Sequence, residues 1–154
     1  MQYLAVITGI FSLEYGLKNY IEKNVAEGES RKKLGGLLLL RKHHNRGAFL
    51  NAGQARRRAV MVLSALLSLA VTGFFALVLG KPGKKLLKWG LALLLGGAYS
   101  NTYDRLVRKY VVDYVSFPLP FGLDNIIFNI GDFCIMVGAL LCVPGCSGEW
   151  DENP

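Results

Sequence analysis

The chain is 154 residues long, 52% of it hydrophobic, with a formal net charge of +7. Long uncharged runs exclude an ordinary soluble domain and point to a membrane protein. The basic excess lacks the interleaved aromatic residues of a base-stacking surface, which excludes nucleic acid as the partner.

A hydrocarbon core needs about 20 mostly apolar helical residues to cross, and four segments offer them. The first is residues 2–20, interrupted by Glu14 and Lys18. It has neither a basic leader nor an A-x-A-like exit, so it reads as a permanent helix rather than a cleaved signal. The only sizeable loop, about 21–58, follows. Its first half, "EKNVAEGESRKK", is polar and turn-rich; its second, "LGGLLLLRKHHNRGAFLNAG", predicts one or two short strands with a turn near Asn45–Gly47. His43 and His44 are a poor metal site, because adjacent side chains on a strand point apart and no acid or thiol follows at ligand spacing.

The second span, about 59–80, holds no charge, and the basic connection "KPGKKLLK" leads into the third, about 86–107. Near the end of the third span Asn101, Asp104 and Arg105 stand at i, i+3, i+4 and share one helical face. Spacing alone fits a salt-bridged interfacial terminus equally well. Asp113 cannot join that face by continuing the helix, since nine residues add a rotation of about 180°. The β-branched and aromatic "YVVDYVSFP" predicts an extended segment folding back from the helix end. "LPFGLDN" turns the chain, with Asp124 or Asn125 as the expected N-cap of the fourth span, about 126–143. Within that span Asn129 and Asp132 stand i, i+3, one to two turns below the surface. Cys134, Cys142 and Cys146 cluster where one helix cannot bridge its own turns, and read as packing residues. The tail "GCSGEWDENP" reads as short and unstructured.

The fold expected is a mainly α membrane protein, a four-transmembrane-helix bundle forming one domain over 1–154. Asp113 and Asp132 come from different segments that meet at one membrane boundary. Two such carboxylates close together cannot both ionise comfortably, so one holds a proton while the other accepts one. That asymmetry can activate a water on one side of a peptide bond and protonate the leaving amine on the other. The chemistry expected is that of an aspartic protease.

The runs "GGAYSNTYDRLVRKYVVDYVSF" and "FNIGDFCIMVGALL" resemble bacterial signal peptidase II, the lipoprotein signal peptidase family, whose pattern is N-x-x-D-R, V-V-D-[FY], F-N-x-A-D. "HNRGAFLN" is similar to that family's N-x-G-A-A-F loop, and "LEYGLK" to its first-span D-x-x-x-K. The resemblance implies a four-helix membrane aspartic endopeptidase with a small extracytoplasmic sheet, working as a monomer in the bacterial cytoplasmic membrane. It implies substrates that are prolipoproteins already carrying a diacylglyceryl group, cut just before the modified cysteine. No metal or cofactor is implied. Carried over by position, the catalytic pair falls on Asp113 and Asp132. Asn45, Asn101, Asp104, Arg105 and Asn129 fall on positions that order the site and hold the substrate backbone, and Lys18 falls on the basic position of the first span. Three departures stand out: Glu14 replaces an aspartate, Gly131 replaces an alanine, and the "NRGAF" loop is one alanine shorter.

Charge pulls the other way on orientation. Eleven of the Lys and Arg lie between Lys18 and Arg58, and three more at Arg105, Arg108 and Lys109. The positive-inside tendency would put these in the cytoplasm, whereas the resemblance puts them outside, facing membrane lipid headgroups. Outward is the expectation adopted, because exported substrates must reach the carboxylates. The rivals are a transporter or proton relay using Asp132, Asp104 and Glu14, and a non-catalytic scaffold of the same family. The absence of repeats and of a polar stripe in the second span disfavours the relay.

Overall fold

The computed structural model describes residues 1–47, 56–118 and 125–147. Its described elements are helices α1 (Gln2–Asn24), α2 (Arg57–Leu79), α3 (Lys85–Val107) and α4 (Ile130–Ser147), and strands β1 (Ser30–Lys33), β2 (Leu38–Asn45) and β3 (Val111–Ser116). The chain is mainly helical, with one small antiparallel sheet in the order β1-β2-β3.

The helices wear their apolar residues outward. Leu69, Leu77, Leu140 and Val143 are each about 70% exposed, while Glu14, Lys18 and Asp104 are buried. That distribution opposes what water selects and suits a hydrocarbon surrounding, where polar groups must find partners inside. By length and composition one described helix, α2, is long and apolar enough to cross a membrane, and the apolar stretch of α4 is shorter. The four expected spans therefore correspond to four helices, of which one passes that test. Glu14 and Lys18 on α1, and Lys88 and Asp104 on α3, are turned inward instead.

Helix α3 is the axis. Its Leu87, Leu91, Ala92 and Leu95 pack with Ile7 of α1 and with Phe75 and Val78 of α2. Against α4 it runs antiparallel along a glycine seam. A Cβ on Gly97 would stand 2.2 Å from the Gly131 carbonyl oxygen, and one on Gly138 would stand 2.5 Å from that of Gly90. Without a side chain between them the two backbones come into direct contact, the usual way apolar helices associate when lipid removes the hydrophobic drive. Gly90 and Gly97 are seven apart, as are Gly131, Gly138 and Gly145. That repeat is the sequence signal of the seam.

Element ends differ from expectation for physical reasons. α1 continues to Asn24, because polarity marks a membrane edge and does not stop a helix. The hairpin turn lies in the 3-10 turn Leu34–Gly36, where Gly35 and Gly36 supply positive φ, so β1 occupies the polar "SRKK". The expected turn at Asn45–Gly47 instead closes β2, with the Gly47 amide donating to Asn45 Oδ1 at 3.0 Å. α4 begins at Ile130 rather than 126, because Phe128 is still paired with Val115 of β3. Of the two expected caps, Asn125 is not one and Asp124 lies outside the described residues. The tail from residue 148, and "AFLNAGQA" of the long loop, also lie outside them.

A tight reversal brings β3 back. Lys109 takes φ 70, and its amide and that of Arg108 both donate to the Asp104 carbonyl. β3 then pairs with β2, with a bulge in β2 between Leu40 and His43 that leaves His43 opposite Asp113.

Gly97→Ala is expected to push α3 from α4 and cost about 1–3 kcal/mol, read as a lower unfolding temperature in detergent. Gly73→Ala on α2, where a Cβ meets nothing within 4 Å, is the control and should be neutral or slightly stabilising.

Candidate active site

Lys18 lies completely buried between two carboxylates, 3.1 Å from Glu14 Oε2 and 3.1 Å from Asp104 Oδ2. Its ammonium also donates to Ser100 Oγ and Asn101 Oδ1, each at 2.9 Å. Arg108 completes the cluster, 3.1 Å from Asp104 Oδ1, so two cations face two anions and the charges cancel. A buried cation is tolerated only with such company. Glu14 in turn accepts a hydrogen bond from the Tyr114 hydroxyl, and Asp104 Oδ2 accepts one from the Val112 amide at 3.2 Å. The cluster thus fastens α1, α3 and β3 together.

From that cluster Asn101 reaches onward, its Nδ2 donating to Asp132 Oδ1 at 2.8 Å. Asp132 sits in the first turn of α4, and Asn129 is the cap of that helix. The Asp132 amide donates to Asn129 Oδ1 at 2.9 Å, and the Asn129 amide donates to Asp132 Oδ2 at 3.0 Å. This reciprocal capping box, with aspartate at the third position, corrects the expectation that both residues lie a turn or more inside the span. Asn129 then uses its Nδ2 to donate to Asp113 Oδ1 at 2.7 Å. Asn45 Nδ2 donates to the other oxygen, Asp113 Oδ2, at 3.0 Å. One residue therefore links the two carboxylates, Asn129 holding Asp113 with its side-chain amide and Asp132 with its backbone amide. Burial, and then the charge of Asp132, push the Asp113 carboxyl up to about 7, against the opposing pull of the Asn45 and Asn129 amides and of Lys18.

Both carboxylates line a cavity of about 430 Å³, together with Asn45, Asn101 and Arg105. Leu67 and Val71 of α2, Leu94 of α3, and Ile135 and Met136 of α4 give it an apolar wall. Arg105 spans its rim, donating to the Gly47 carbonyl at 3.1 Å and the Asn101 carbonyl at 3.3 Å. Of the residues expected in the site, Asn129 touches Asp113 from behind. Asp104 does not line the cavity with Asn101 and Arg105, because its two oxygens are engaged by Lys18 and Arg108. Glu14 and Lys18 support the cavity and do not line it.

Sequence reasoning missed Tyr114, whose hydroxyl also accepts the Ile130 amide at 3.3 Å, and Ser100. The alternation in "VVDY" could have found Tyr114 as a neighbour of Asp113, but not its partner on α1. His44 is held by Glu22 at 2.8 Å and Glu27 at 3.2 Å and stacks on Tyr110, tying the sheet to the end of α1. Among the described residues no group of three or more His, Cys, Asp or Glu is placed to hold a metal ion.

Two departures from the resembled pattern meet in space. A Cβ on Gly131 would stand 3.2 Å from Glu14 Oε2 and 2.9 Å from Asn129 Oδ1. Asn129 Oδ1 and the longer arm of Glu14 together crowd the room that an alanine at 131 would need.

The family profile described as signal peptidase (SPase) II matches residues 6–145. The lipoprotein signal peptidase of Caldicellulosiruptor bescii is 32% identical over 92% of this chain and 87% of its own. That of Lactobacillus gasseri is 37% identical over 90% and 87%, and that of Geobacillus kaustophilus 28% over 92% and 90%. A solved bacterial membrane enzyme shares the fold with a TM-score of 0.81 at 20% identity, over 99% of this chain and 92% of that one.

The Glu14–Gly131 fit yields a double-mutant test. Gly131→Ala alone should lower stability and activity, and adding Glu14→Asp should recover a coupling on the order of 1 kcal/mol, measured as unfolding temperature and turnover. Additive losses would show that the two positions are independent.

Proposed function

The chain belongs to the signal peptidase II family, and from that premise we propose that it removes signal peptides from prolipoproteins as a membrane aspartic endopeptidase, with Asp113 and Asp132 as its catalytic pair. The substrates are prolipoproteins carrying a diacylglyceryl group, cut before the modified cysteine. The observation that carries the aspartic assignment is that Asn129 bridges two carboxylates lining one cavity, its side-chain amide on Asp113 and its backbone amide on Asp132.

Roles divide by surroundings. Asp132 lies in the first turn of α4, where the helix dipole favours an anion, and its Oδ1 accepts from an Asn101 amide that Lys18 holds in place. It serves as the base. Asp113, with its carboxyl pushed up to about 7, holds the proton. A water attacks the scissile carbonyl carbon, giving its proton to Asp132 as Asp113 protonates the carbonyl oxygen. The proton on Asp132 then passes to the leaving nitrogen, the C–N bond breaks, and Asp113 recovers a proton from the diol hydroxyl. Asn45 and Arg105, at the rim, hold the substrate backbone. The apolar wall from α2, α3 and α4 takes the apolar side chains of the signal peptide.

The four helices span the bacterial cytoplasmic membrane, with the sheet and both carboxylates on the extracytoplasmic side. The apolar exterior of the helices and the inward turn of Glu14, Lys18, Lys88 and Asp104 support this arrangement. The protein acts as a monomer.

Asp113→Asn and Asp132→Asn should each lower cleavage of a diacylglyceryl-modified prolipoprotein by roughly 10²–10⁴-fold, and the double change should be scarcely worse. Since Asp113 must be protonated, kcat/KM should fall as pH rises through about 7. Substantial turnover by either folded variant would remove the pair. Orientation has its own test: with Cys134, Cys142 and Cys146 replaced, Lys33→Cys in the hairpin should react with an impermeant thiol reagent on intact cells, and Lys85→Cys should not. The reverse labelling would place the site on the cytoplasmic face.

A further inference from the structure

Beside the carboxylate cavity lies a larger one, of about 780 Å³, whose lining is basic. Arg46, Arg56, Arg57, Arg58, Arg105 and Lys109 surround it, and no acid lines it among the described residues. Three of these arginines break a local rule. Arg56 caps α2 and Arg57 and Arg58 begin it, at the positive end of the helix dipole, where anions are favoured; the first turn has no acid and no side-chain cap. Like charges gathered around a cavity and added to a helix N-terminus repel one another and are poorly arranged for stability alone. The guanidinium fork and the open helix amides together suit an anion with several oxygens, phosphate above all. In addition, Arg105 Nε is buried with no acceptor among the described residues, and Arg105 lines both cavities.

The remaining lining favours a lipid. Ala59, Val60 and Met61 form an apolar wall of the same cavity. Val62, Leu63 and Leu66, each more than half exposed, continue from it along α2. A phosphate seated among the arginines would leave attached acyl chains lying along that apolar face.

We propose that this cavity is a binding site for the phosphodiester headgroup of an anionic phospholipid, with Arg56, Arg57 and Arg58 as its principal ligands and the start of α2 as the bed for the acyl chains. This occupant also accounts for the basic excess on that end of the molecule, since the arginines then face a bound anion. The site needs neither carboxylate, and Arg105 is the residue it shares with the peptidase cavity.

The test is a native mass spectrometry titration of delipidated, detergent-solubilised protein with phosphatidylglycerol, phosphatidylcholine, glycerol 3-phosphate and inorganic phosphate. The wild-type protein should retain phosphatidylglycerol about tenfold or more tightly than phosphatidylcholine, and should bind the two soluble phosphates far more weakly. Arg56→Gln/Arg57→Gln/Arg58→Gln should lose most of that preference, whereas Lys81→Gln/Lys84→Gln/Lys85→Gln at the opposite end should keep it. Equal wild-type retention of the two lipids overturns the proposal whatever the variants do. Equal loss from the lysine set reduces the effect to general surface charge and overturns it too. Soluble phosphate bound as tightly as phosphatidylglycerol would overturn the lipid as ligand.

Discussion

The fold hangs on a buried cation. Lys18 has no exposed surface and sits among Glu14, Asp104, Ser100 and Asn101, so every element that supplies one of those partners must keep its register relative to α1. Removing one charge from such a cluster leaves another uncompensated in a low-dielectric interior, which typically costs about 3–5 kcal/mol. That penalty makes the arrangement specific: sliding α3 by one turn would strand Lys18. The same residues carry the order outward, through Asn101 to Asp132, through Asp104 to the Val112 amide, and through Glu14 to Tyr114.

The candidate site is assembled from short pieces that would not hold a shape alone. β3 has six residues, and it is aligned by the turn at Lys109, by β2 on one side, and by Phe128 on the other, whose amide and carbonyl both engage Val115. Phe128 is followed directly by Asn129, so the end of the pairing fixes where α4 starts. Asn129 then has both ends of its amide committed, Oδ1 to its own helix and Nδ2 to Asp113. Cap and site support are one residue, and for that reason the distance between the carboxylates depends on the helix start rather than on a loop.

α2 is the helix with least interior surface; Ser68, Phe75 and Val78 are its buried residues. Hydroxyl pairs tie it to α3: Ser68 with Thr102 at 2.9 Å, and Thr72 with Tyr99 at 2.6 Å. In a hydrocarbon surrounding such pairs replace the hydrophobic drive that is missing between apolar helices. They also leave room, since the cavity opens between α2 and the closely packed α3 and α4. Two helices in contact at glycine and a third held off by hydroxyls make a rigid wall opposite a looser one.

The sequence by itself determined the class of the protein, the four helices, the extended return at "VVDY" and the two carboxylates, because hydropathy, β-branching and short-range spacing act over neighbouring residues. It also carried the glycine repeat of α3 and α4, readable once the seven-residue period is counted. Tertiary structure alone decided which face each polar residue serves. Asn101, Asp104 and Arg105 look alike on a helical wheel, yet Lys18, from more than eighty residues earlier, engages Asp104 and the oxygen of Asn101, which leaves Asn101 Nδ2 to reach Asp132. It also decided that α4 starts at a cap held by a strand bridge, that the hairpin turns at Leu34–Gly36, and that Glu14 fills the space beside Gly131. Each of these rests on contacts between distant parts of the chain, whose energies depend on burial and geometry that no local pattern contains.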